Sequence, residues 1–156
     1  MASGAYIHGI RQTQDGTYVM TSATLKIMLV NNLYVFAKTH TVVDDGTSTT
    51  SCLKFEELNA TNYTRGFGGA GRQVATLAIS ESSSAVILAF TNLTWNALGG
   101  ASNDTVGAGV LIRESGNDTT SIPIAYLQIT ATPTNGSNFT LSFASAGSGG
   151  NLAYNC

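Results

Sequence analysis

Short apolar segments with strand periodicity, divided by turn residues, constrain this chain more than any other feature. In Thr24-Leu25-Lys26-Ile27-Met28-Leu29-Val30, the residues Leu25, Ile27 and Leu29 share one face of an extended segment. Leu33-Tyr34-Val35-Phe36 follows the turn-prone Asn31-Asn32, which predicts a bend or hairpin. Residues 74–79 and 85–90 flank the run Ser82-Ser83-Ser84 and read as an antiparallel hairpin with a polar tip. Residues 110–113 and 122–129 make a second hairpin across turn residues 114–120, with Pro123 at a first-residue or edge position. Phe139-Thr140-Leu141-Ser142-Phe143 alternates and closes the series. No window carries a sustained helical stripe with caps, and the one helical candidate is short, around residues 54–58. The expected fold is all-β: a single β-sandwich or jelly-roll-like domain over residues 21–146, after an N-terminal arm (1–20) and before a glycine-rich C-terminal tail (147–156).

Composition narrows the partners. Charged residues are 10% of the 156, well below the roughly 25% of ordinary domains, while 43% are hydrophobic, which argues for a folded chain. Hydroxyls and amides take the place of surface ions. A net charge of −2 and seven scattered basic residues give no electrostatic footprint for nucleic acid. No apolar run approaches the ~18 residues of a membrane helix, so no membrane partner is expected. The first six residues lack a basic start and an apolar stretch, so no leader is expected. Seven Asn-X-Ser/Thr triplets would matter on a secretory route. Without a leader they read as products of a turn-rich composition.

Candidate chemistry is sparse. His40 lies near Asp44 and Asp45, but adjacent aspartates on an extended chain point apart and no second nearby histidine completes a ligand set. His8 sits alone in the arm. Glu56 and Glu57 invite comparison with a glycosidase pair, yet such pairs are set in space rather than by adjacency, and a solvated turn or helix start explains them. Cys52 and Cys156 leave two readings, a bridge anchoring the C-terminus or two unpaired thiols, and a single bridge does not make a stapled scaffold. The glycine run from Gly66 to Gly71 lacks the Gly-Lys-Ser/Thr ending of a phosphate loop and precedes a strand, not a helix. Its glycines suit positive φ or close backbone approach. Trp95, the single tryptophan, is a core or interface anchor or, in a rival reading, a sugar platform together with Tyr63. No catalytic residue, metal ligand or cofactor is expected.

One ordered set of segments has a wider likeness. Leu25-Lys26-Ile27-Met28-Leu29 leads to Val43-Asp44-Asp45, then to the stretch from Glu57 through Tyr63-Thr64-Arg65-Gly66 to Gly69, and then to Leu93-Thr94-Trp95-Asn96-Ala97. The turn-bearing stretch from Gly109 to Asp118, then Pro123-Ile124-Ala125-Tyr126-Leu127 and Asn138-Phe139-Thr140-Leu141-Ser142-Phe143, complete the order over residues 24–145. This order resembles a family of small tailed-phage virion structural proteins. Two departures stand out: Ala60-Thr61-Asn62 replaces a Gly-Thr-Gly step before the tyrosine, and Asn151-Leu152-Ala153-Tyr154-Asn155-Cys156 replaces an apolar last strand.

The resemblance implies a non-enzymatic capsid decoration or cement protein on the virion surface, with the major capsid protein as partner and a homo-trimeric state. A tail, neck or fibre protein and a carbohydrate-binding module are the alternatives. Tyr6, Ile7 and Ile10 in the arm are the expected capsid or subunit contacts.

Overall fold

The computed structural model describes residues 3–20, 24–81, 85–143 and 152–155. Its elements run β1 (Gly4–Ala5), α1 (Ile7–Gln14), β2 (Leu25–Asn31), β3 (Gln73–Val74), β4 (Leu77–Glu81), β5 (Ala85–Phe90), β6 (Leu93–Leu98), β7 (Thr105–Arg113), β8 (Ile122–Pro133), β9 (Ser137–Leu141) and β10 (Leu152–Asn155). The chain is an all-β protein. Its main sheet is antiparallel, in the order β1-β8-β7-β2-β3, beside a three-stranded sheet β10-β5-β4 and the pair β6-β9.

Both faces of the main sheet are covered. Leu25, Ile27 and Leu29 of β2 join Leu111 and Ile124 on one face, beneath Trp95 and Leu98 of β6 and Leu141 of β9. Met28 and Val30 point the other way and join Val110, Ile112 and Tyr126, beneath Tyr6, Tyr34, Val43 and Leu53. Alternation along a strand therefore separates two cores rather than a core from solvent. This is why the hydrophobic run of β2 has no polar alternate except Lys26. At Gly109 the covering layer comes so close that a Cβ would stand 2.8 Å from Leu141 Cδ2.

Three local expectations are corrected. Residues 4–20 are not a free arm: β1 pairs with β8, Tyr6 N–H donates to Ile124 O at 2.9 Å, and Tyr6 is 0% exposed. Helix α1, which sequence periodicity did not reveal, docks on β8 through Gly9, where a Cβ would lie 2.4 Å from Pro123 O. Residues 54–58 are not helical, and residues 33–36 bend without forming a strand. Instead Glu57 bridges Val30, Asn31 N–H donates to Glu56 O and Leu58 N–H to Leu29 O, so this segment extends the open edge of β2 beyond β3. Edge pairing gives the backbone partners that a lone helical turn would leave to water.

Pro123 is the second residue of β8 and lies before Ala125 and Tyr126, the two positions that pair with β1. It sits opposite Ile112 at the register slip between Leu111 and Ile112, where its missing N–H interrupts no regular ladder. The two expected hairpins are present as β4–β5 and β7–β8. The tip Ser82-Ser83-Ser84, the glycine run 147–150 and Cys156 lie outside the described residues.

Candidate functional site

The long connection from β2 to β3 carries most of the polar chemistry. Because residues 56–58 run along β2, the Glu57 side chain turns inward and is 1% exposed. Arg72 immediately precedes β3 on the same sheet edge, so the two side chains meet. Arg72 Nε donates to Glu57 Oε1 at 2.8 Å and Nη2 donates to Oε2 at 2.7 Å. The other prong of the guanidinium reaches Asp118 in the β7–β8 connection, with Nη1 donating to Oδ1 and Nη2 to Oδ2. Glu114 stands 3.6 Å from Arg72 Nη1 and pairs with Lys26 of β2.

Neutral groups complete the cluster. The Tyr63 hydroxyl donates to Glu57 Oε1 at 3.2 Å and accepts Leu29 N–H at 3.0 Å, tying the cluster to the sheet backbone. Gly66 N–H donates to Glu57 Oε2 and Gly68 N–H to Glu114 Oε1. The glycine run therefore has a geometric task. Gly66 and Gly68 hold φ of +85° and +72°, and a Cβ on Gly69 would meet Thr64 O at 2.3 Å. Such a loop aims two amides at carboxylates. Each charge acquires an opposite charge or several hydrogen bonds, the condition for keeping ions out of water.

Electrostatics follow from this arrangement. Burial pushes the Tyr63 phenol well above its usual range, and the neighbouring Glu57 charge adds to the effect. Burial opposes the charge on Arg72, but its bonds to Glu57 and Asp118 prevail and raise its pKa. Burial also pushes the Glu114 carboxyl up, yet the Lys26 ammonium and the Gly68 amide outweigh it and hold Glu114 below the usual carboxylate value. The reading of Glu56 and Glu57 as solvated is thus overturned, since both are buried.

Above the cluster lies a surface groove of about 510 Å³ lined by Asp44, Thr47, Ser48, Lys54, Phe55 and Arg65, with Glu57 in its floor. Asp44 is held by Gly46 N–H at 3.0 Å and by Lys54 Nζ at 2.6 Å. Arg65 Nη2 donates to the carbonyls of Lys54 at 3.0 Å and Phe55 at 2.9 Å. A second polar system lies on the far face of the sheet. The Tyr6 and Tyr34 hydroxyls are 2.8 Å apart, and the Tyr34 hydroxyl is 3.0 Å from His40 Nδ1.

The expected contact residues do not form one surface. Ile7 is 55% exposed, Ile10 packs against the first core, and Tyr6 is sealed in the second. Tyr6 is corrected from a contact residue to a core residue, because β1 pairing turns its ring under the sheet. Trp95 is 2% exposed and its Nε1–H donates to Gly71 O at 2.6 Å. Tyr63 is buried too, so neither ring is available as a sugar platform. His8 Nε2 meets Gln12 Nε2 at 2.8 Å within α1. Among the described residues no group of three or more His, Cys, Asp or Glu is placed to hold a metal. Cys52 is buried below Val43, and its pairing with Cys156 falls outside the described residues. No family model matches the chain, and neither does any curated protein or solved structure.

Proposed function

We propose that this chain is a non-enzymatic structural protein of a tailed-phage virion, a decoration or cement protein that binds the outer surface of the capsid lattice and reinforces it. The observation that supports this reading is the fate of the ionisable groups. Glu57, Arg72, Glu114 and Asp118 are turned inward and locked to one another and to a glycine loop, an arrangement that stiffens a domain and engages these three carboxylates with internal partners. The outward surface combines hydroxyls with scattered apolar side chains such as Ile7, Leu33, Val35 and Val74. Contacts built from apolar area and neutral hydrogen bonds stabilise a shell by mass action and tolerate salt.

One segment in the order that resembles the phage family, residues 57–69, supplies Glu57, Tyr63, Gly66 and Gly68 to the buried cluster. Purified virions examined by cryo-electron microscopy and by mass spectrometry of their proteins test the reading. Density for this fold on the outer capsid surface is the expected result, and absence of the chain from virions refutes it. Removing the first dozen residues is not a clean test, because it takes away Tyr6 and β1 with them.

A further inference from the structure

We propose that the groove between Lys54, Phe55 and Arg65 is a docking point for an acidic side chain of the capsid subunit, with an apolar neighbour of that acid lying on the Phe55 ring. The inference rests on the capsid-binding reading and names the chemistry of its contact.

The argument is an inventory of donors and acceptors. The acids at the groove already have partners. Asp44 accepts Gly46 N–H on one oxygen and Lys54 Nζ on the other. Glu57, in the floor, accepts from Tyr63, Gly66 and twice from Arg72. The cations retain unused capacity. Lys54 has three N–H donors and one acceptor among the described residues, while Arg65 uses only Nη2. Its Nε and Nη1 remain free of partners among the described residues. The spare donors on Lys54 and Arg65 are charged and exposed, and a carboxylate is the acceptor that suits them.

The rest of the molecule makes this place distinctive. Lys26 and Arg72 belong to the buried cluster, Arg113 lies over the Tyr18 ring and Arg11 pairs with Asp15. Lys38 is exposed by itself. Among the described residues, only at the groove do two cations with spare donors stand beside a half-exposed aromatic ring. Both are pre-positioned: the Arg65 guanidinium is clamped by two backbone carbonyls, and Lys54 is held by Asp44. That reduces the ordering cost of binding. A planar guanidinium beside an ammonium fits a carboxylate, and a ring 49% exposed supplies area for the residue next to it.

Two measurements test this together. Capsids stripped of the protein are incubated with wild type, Arg65→Glu, Lys54→Glu and Phe55→Ala, and occupancy is read by co-sedimentation. The three side chains are exposed, so each variant should stay folded, with only a small drop in melting temperature where the Asp44 pair or the carbonyl bonds are lost. Each charge reversal should weaken binding about tenfold or more, and Phe55→Ala should weaken it less. In parallel, isotope-labelled wild type is titrated with N-acetyl-Glu-Leu-amide and with its Gln counterpart, following the Arg65 Nε–H resonance. A saturable shift with the Glu peptide alone supports the proposal. Equal shifts with both peptides, or none, overturn it, as does wild-type occupancy in the reversed variants. Failure of the wild type itself to bind capsids refutes the proposed function instead. In that event the peptide titration alone decides whether the groove receives a carboxylate.

Discussion

Arg72 grips Glu57 through a two-pronged contact, and both side chains are removed from solvent, at 0% and 1% exposure. Neither partner is tolerable alone. Replacing Arg72 with Met should leave Glu57 and Asp118 buried without a counter-charge, at a cost of about 3–5 kcal/mol. Urea melts of the variant read this as a lower midpoint. An unchanged midpoint would show that the pair is better hydrated than the geometry states.

Tyr63 is the neutral joint of the same cluster. Phenylalanine keeps the ring but removes the hydroxyl that accepts Leu29 N–H and donates to Glu57. Tyr63→Phe should cost about 1–3 kcal/mol, the penalty for an unsatisfied buried donor. Amide exchange at Leu29 should quicken more than at its neighbours in β2. Uniform exchange along the strand would argue against a specific joint.

On the opposite face, acid should unlatch the segment that begins with Tyr6. Burial holds the His40 pKa below its ordinary value, outweighing the raising effect of Asp45. The folded state therefore favours neutral imidazole, whose Nδ1 is hydrogen-bonded to the Tyr34 hydroxyl. The sign follows: this contribution is present above the unfolded histidine pKa of about 6.5 and is lost as pH falls from there through the lower folded value. Stability measured between neutral and mildly acidic pH should decline, and His40→Gln should flatten that part of the profile. A profile identical in wild type and variant would remove His40 from the account.

Alkali should act through the same pair. Burial pushes the Tyr34 pKa up to about 12, and Tyr6 is raised further by burial and by its tyrosine neighbours. An acid whose folded pKa is raised stabilises the fold below its unfolded pKa of about 10 and loses that contribution as pH climbs toward 12. Tyrosinate absorbance should therefore rise late and together with unfolding. Smooth titration near pH 10 in a folded chain would contradict the burial of these phenols.

Glycine in a helix is ordinarily improved by alanine, by up to about 1 kcal/mol. Gly9→Ala should do the reverse. Its Cβ would meet both Pro123 O at 2.4 Å and Ile124 Cα at 2.9 Å, and overpacking of this kind costs about 1–3 kcal/mol. The thermal midpoint of the variant checks this, and a midpoint raised above wild type would mean that α1 shifts away from β8 freely.

The strands were legible because β2, β7 and β8 carry long apolar runs and their connections carry turn residues. What escaped was set by non-local pairing. Glu57 reads as a surface acid because nothing nearby in sequence indicates that residues 56–58 will zip onto β2. Asp118, 46 positions beyond Arg72, gives no sign of its partner. Alternation likewise marked one buried face of β2. The second face became visible only when Tyr34, Val43 and Leu53 folded over Met28 and Val30. Helix α1 was hidden because its closest approach to the sheet is made by Gly9, and Ile10 beside it does not make an apolar stripe.

The distance along the chain between Arg72 and Asp118 also sets an order of events in time. The cluster cannot close until β2, β3 and the β7–β8 hairpin are in register, so it forms late, after most of the loop entropy is lost. Interactions made after the folding barrier act on the rate of unfolding rather than on the rate of folding. We therefore expect Arg72→Met to speed unfolding while refolding stays close to wild type, and slowed refolding in stopped-flow traces would refute that order. On this reading, a cluster that looks like a source of equilibrium stability serves as a latch that sets how long each folded copy lasts.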